Sequence, residues 1–178
     1  MKRFFFVLLC LFSASAGALT PAQQSTLNAC INTVPAWAAL PNNSEAALMI
    51  ANGLNQVATP AYIVWRTNVS ANETGNAWSG TDIDGMSALN MQRLQLLLAS
   101  SPQGTFNMSR ADRRAGFENP FGTNQNNASR VAMRAVWKRS ATVGEKCLAT
   151  GSGSDASPST MGYEGQFNYA DVQAARSQ

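Results

Sequence analysis

"LNQVATPAYIVWRTNV", residues 54–69, is the stretch on which the fold turns. Its first residues close a helix. Leu48, Ile50, Ala51 and Leu54 give one apolar side to a helix that starts near Ser44 and ends before Thr59-Pro60, since the residue before a proline disfavours helical backbone. Residues 62–69 are then rich in β-branched and aromatic side chains and read as extended. In an alternating strand Tyr62, Val64 and Arg66 face one way, and Ile63, Trp65 and Thr67 the other. Arg66 therefore sits at the edge of an apolar face. The expectation is a structural arginine, its stem packed and its head on a carboxylate or on carbonyls at a helix end, with Trp65 filling the core from the opposite face. A binding-site arginine is the second reading.

Working outward, helices flank this segment. Thr20-Pro21-Ala22-Gln23 opens one with a cap, a first-turn proline and a capping-box glutamine. Leu27, Cys30 and Ile31 share its face. On the other side, Asn72, Gly75, Asn76 and Gly80 read as a loop. Asp84 or Ser87 then caps a helix with leucines at 89, 94, 96, 97 and 98. Leucine on more than one side predicts the central, most buried helix. A short helix from Ser109 closes around Phe117, and a further helix runs from about Asn127 to Arg139. "GSGSDASPST", residues 151–160, reads as a flexible loop. Residues 163–167 read as a short strand, and Asn168 caps a last helix through Asp171. The fold class is mainly α: a single domain over residues 19–178, with five to six helices and short extended segments.

The composition narrows the chemistry. Of 178 residues 45% are hydrophobic, enough for a packed core, and only 13% are charged, which leaves a surface of Asn, Gln, Ser, Thr and Gly. The chain has no histidine. That removes Ser-His-Asp and Cys-His nucleophile systems and His-containing zinc sites. "MKRFFFVLLCLFSASAGA", residues 1–18, has a basic start, an apolar run and a small-residue end, the pattern of a secretory signal peptide cleaved after Ala18. The run is too short to span a bilayer, so membrane contact is expected only during export. Beyond it stand 11 basic and 10 acidic residues and two cysteines, Cys30 and Cys147. In an oxidising compartment these pair; as two separate buried thiols they do not.

Residues 110–146 carry eight basic against three acidic residues. On one helix Arg130, Arg134 and Lys138 recur at i, i+4, i+8, with Trp137 beside them. This stripe is the candidate interaction surface, facing an acidic protein partner or nucleic acid; a solvated helix face is the plainer reading. The near-neutral balance disfavours nucleic acid. On such a face Arg130→Ala changes stability by about 0.5 kcal/mol or less. Asp82-x-Asp84-Gly85 is a fragment of a calcium loop without its remaining ligands, so no metal or cofactor is expected. Glu73, Asp82, Asp84 and Glu118 are the carboxylates from which a glycoside-cleaving pair would come, but no spacing singles out two of them. No catalytic residue is assigned.

"AALPNNSEAALMIANGLNQVATPAYIVWRTNV" and "KRSATVGEKCLATGSGSDASPSTMGYEGQFNYADVQAAR" resemble a family of small proteins encoded by tailed bacteriophages and prophages. The shared pattern is a Val-Trp-Arg-Thr core segment, then an Ala-Thr-x-x-Glu-Lys run, a Gly/Ser loop and a Glu-Gly turn before the last helix. The likeness spans most of residues 19–178 and is loose over 72–126. It implies that Trp65 and Arg66, with Tyr62 beside them, are scaffold residues. It also implies a non-enzymatic head, neck or tail component working through contacts with other phage proteins or with itself. Family members begin near the equivalent of Leu19 and carry no signal peptide. The leader therefore sets a second expectation beside the first: an exported periplasmic or surface protein that binds envelope partners. A cell-wall glycosidase is the third.

Overall fold

The computed structural model describes residues 19–101 and 103–178. The leader expected over residues 1–18 lies outside them. The elements run in chain order as α1 (Pro21–Asn32), α2 (Pro35–Ala38), α3 (Ser44–Leu54), β1 (Ile63–Trp65), β2 (Val69–Ser70), α4 (Ala71–Asn76), α5 (Gly80–Asp84), α6 (Ala88–Ala99), β3 (Thr105–Phe106), α7 (Ala111–Glu118), a 3-10 turn (Asn119–Phe121), α8 (Ala128–Val136), β4 (Lys138–Ser140), α9 (Val143–Leu148) and α10 (Tyr169–Arg176). The mainly α class holds. The helix number does not: ten helices stand among the described residues, because α2, α4, α5 and α9 are pieces of four to six residues.

Two apolar clusters organise these elements. The first gathers Leu27 and Ile31 of α1, Ala47, Ile50, Ala51 and Leu54 of α3, Leu148 of α9, Phe167, and Val172 and Ala175 of α10. Local chemistry builds its helices. Thr20 with Gln23, and Asn168 with Asp171, form complete capping boxes, and Asn43 caps α3 by accepting from the Ala46 N–H. Trp37 of α2 packs against Gly53, where an added Cβ would come within 2.5 Å of its ring. The Cys30–Cys147 disulfide ties α1 to α9. The second cluster holds Val69, Leu94, Phe106, Met108, Phe117, Met133 and Trp137. Phe117 stands between Phe106 (5.0 Å, edge-on) and Trp137 (6.1 Å).

The opening stretch stitches the two clusters together. β1 pairs antiparallel with β4, Val64 opposite Arg139. Its other edge takes the 151–160 loop: Ile63 N–H donates to the Gly153 carbonyl (2.7 Å), Ser159 N–H to Ile63 (2.9 Å) and Trp65 N–H to Ser159 (3.0 Å). Val64 is thereby fully buried in the middle. The Gly/Ser loop, expected to be flexible, is a paired element instead. Thr150 and Thr160 exchange hydrogen bonds across its base, and Gly153, at φ 66°, lies so close under Tyr62 that a side chain would enter the ring.

Five further expectations are corrected. The 72–86 loop contains α4 and α5; Ser70 and Glu73 form a capping box that starts α4. α6 is not central: only Leu94 is fully buried, while Leu89 and Leu96 are 58% and 64% exposed. Its leucines surround the helix, but a cluster covers one side only. The helix placed at 127–139 stops at Val136, and Lys138 enters β4, because pairing with β1 and burial of Trp137 outweigh helical continuation. Residues 163–167 form no strand, and α7 starts at Ala111 with the Ser109 hydroxyl on the Asn107 side chain rather than on the helix.

Candidate functional site

The basic region folds into a cleft of about 650 Å³, not into a stripe. One wall is the 111, 114, 115, 118 side of α7; the others are Trp65, Val131 and Arg134 of α8, Lys138, and the Asp155–Pro158 part of the Gly/Ser loop. Each position follows from an element already described. Spacing of three and four puts Ala111, Arg114, Ala115 and Glu118 on one side of α7. The β1–β4 register sets Trp65 opposite Lys138.

Glu118 anchors the cleft from below. It is 8% exposed and accepts three charge-assisted hydrogen bonds: from Arg134 Nε (2.7 Å) and Nη2 (2.6 Å), and from Arg130 Nη2 (2.8 Å). Burial pushes its carboxyl up, but the Arg134 hydrogen bonds and the Arg134 and Arg130 charges outweigh this and hold it below its ordinary value. Arg130, 5% exposed, also donates to the Gly122 carbonyl, while its Nε finds no partner. Trp137 is fully buried and donates to the Thr74 hydroxyl at 3.2 Å. Of the four residues expected on an interaction surface, Arg134 and Lys138 line the cleft. Arg130 and Trp137 lie beneath the surface; helical spacing is the same for an inward face and an outward one.

The rim carries the less occupied cations. Lys138 Nζ meets the Asp155 carboxylate at 2.6 Å, a carboxylate that is 82% exposed. Arg114 lies 4.0 Å over the Trp65 ring. Among the described residues its hydrogen bond is the one from Nη1 to the Met108 carbonyl (2.5 Å). Burial holds its guanidinium below the usual arginine range, opposed by the more distant Glu118 and Asp112. Trp65 is half-buried: it packs against the second apolar cluster and also forms the floor under Arg114.

Arg66 points to the other side of β1. Its guanidinium meets Glu73 (2.8 and 3.3 Å) and the Val136 carbonyl near the end of α8 (2.9 Å), and its side chain is 23% exposed. Tyr62 donates to the Gly151 carbonyl and accepts from the Ser159 hydroxyl, both at 2.8 Å. The carboxylates weighed for glycoside cleavage serve separate partners: Glu73 holds Arg66 and caps α4, Asp82 accepts from Ser129 and Asn127, Glu118 holds two arginines, and Asp84 ends α5. A second network joins Arg139 to buried Glu145 (2.6 Å) and to Glu164 (3.2 Å). Comparison with protein-family models, curated proteins and solved structures finds no match for the chain.

These pairs predict acid sensitivity. The Arg66 hydrogen bonds, followed by those from Ser70, hold Glu73 at about 2, against an ordinary 4.5. A depressed carboxylate stabilises the fold above its unfolded value and loses that contribution as pH falls through its folded one. The melting temperature should therefore decline between about pH 4.5 and 2. Glu73→Gln should melt lower at neutral pH and decline less steeply on acidification, with Glu118 and Glu145 supplying the remaining slope. Equal slopes for parent and variant would remove Glu73 from the account.

Proposed function

We propose that this chain is a non-enzymatic, phage-derived structural or assembly protein, associated with the head, neck or tail, that works through contacts with neighbouring protein subunits. The observation that carries the reading is the outer side of α6. Leu89 and Leu96 stand exposed there. Beside them a groove of about 580 Å³ runs between α6 and α7, lined by Leu96, Leu97, Gly116 and Pro120 together with the polar Arg93, Ser100 and Asn119. Apolar side chains gathered beside a groove favour a protein contact. The phage resemblance supports the same class.

Mass spectrometry of purified virions tests it. The chain should be found in particles, and Leu89→Asp/Leu96→Asp should fold normally yet be depleted from them. Absence of the parent from particles whose other minor proteins are detected overturns the virion role. The second reading, an exported periplasmic or surface binding protein, is favoured by one observation, the Cys30–Cys147 bond, since such bonds persist in oxidising compartments. N-terminal sequencing of protein made from the native start separates the two: export leaves periplasmic chains beginning at Leu19.

A further inference from the structure

We propose that the Trp65–Arg114–Lys138 cleft is a receptor for a carboxylate side chain on an acidic segment of a partner protein. The site lies on the side of α7 away from the apolar groove, so it stands or falls separately from that contact. Arg114 carries five N–H donors in a planar fork, and one of them is engaged, on Met108. Stacking on Trp65 holds the fork rigid, which lowers the ordering cost of a second bidentate bond. Among the described residues Arg114 has no carboxylate partner, a condition shared with Arg93, Arg113 and Arg176, but of these four it alone lines this cleft and lies over Trp65. A partly buried cation without a bonded counter-charge is relieved by an arriving anion.

Lys138 supplies the second positive group. Its Nζ donates to the Asp155 backbone carbonyl (3.2 Å) and to the Asp155 carboxylate (2.6 Å), and that carboxylate is mostly in water and can swing away. The exposed amide of Asn126 on the same rim can meet a peptide backbone. A peptide carboxylate fits better than a phosphodiester backbone, because Glu118 and Asp155 in the same lining repel a continuous polyanion and the chain beyond the leader is near neutral.

The test titrates the isotope-labelled chain with a short peptide alternating Glu and Gly, with its Gln/Gly counterpart, and with a short oligothymidylate, following amide NMR shifts. The Glu peptide should bind and move the signals of Ala115, Asn126 and Ala156. Arg114→Gln and Lys138→Gln should each weaken it about tenfold, the loss of one charge-assisted contact. Asp155→Asn should strengthen it, by removing the carboxylate that competes with the peptide for Lys138. That gain is the decisive readout, because a lost surface pair has no structural reason to improve binding, and it does not depend on whether Arg114→Gln folds. The proposal is overturned if the Gln peptide binds equally well, if oligothymidylate binds more tightly, if the shifts fall outside the cleft, or if Asp155→Asn leaves the affinity unchanged.

Discussion

Glu118→Ala lowers the unfolding free energy by about 3–5 kcal/mol, the effect of breaking a buried ion pair from one side. Arg130 is 5% exposed, and Glu118 is its carboxylate. Without Glu118 the guanidinium stays buried against the Gly122 carbonyl and Gln125, with an Nε that is already unpartnered. Arg134 loses two bonds but is more exposed and turns to solvent. Adding Arg130→Met to Glu118→Ala removes the stranded charge and should restore part of the loss, since apolar replacement of both partners is far less costly than removal of one. Urea denaturation of the three chains measures both steps. A loss below about 1 kcal/mol for Glu118→Ala would mean that the pair is screened like a surface bridge. The same burial reverses the mild outcome expected of Arg130→Ala from its place in a charged stripe.

Breaking the Cys30–Cys147 bond costs about 4–5 kcal/mol on the loop-entropy account. The two cysteines are 117 residues apart, so the bond removes much of the freedom of the unfolded chain. It ties α1 to α9, both part of the first cluster. The urea midpoint should drop on adding reductant, and Cys30→Ala/Cys147→Ala should match the reduced parent while ignoring reductant. A parent whose midpoint is the same with and without reductant would show that the bond does not form in solution. The result also bears on location, because a chain that leans on this bond is weakened in a reducing compartment.

What could be read without the structure was local. Thr20 with Gln23, Asn168 with Asp171 and the polar residues ahead of α3, α6 and α8 act on amides three positions away, so their meaning is contained in a few residues. The extended character of residues 62–69 belongs to the same kind, as it follows from branched and aromatic side chains. The short helices α4 and α9 also announce themselves, through Ser70 with Glu73 and Thr142 with Glu145. Six residues hold less than two turns, however, so no apolar period stands behind those caps to distinguish them from a turn.

Tertiary structure alone decided which side of each pattern is covered. Arg130 and Arg134 occupy one helical side in the sequence, yet Glu118, twelve residues from one and sixteen from the other, draws Arg130 inward and leaves Arg134 at the cleft. Trp137 ends α8 because β4 must reach β1, a partner more than seventy residues earlier in the chain. The Gly/Ser loop is ordered by the free edge of that same strand. α6 has enough leucine to sit in a core, but only one side of it meets the second cluster. In each case the deciding contact is long-range. A sequence pattern specifies which residues share a face; only the neighbour that packs on that face determines whether it is buried.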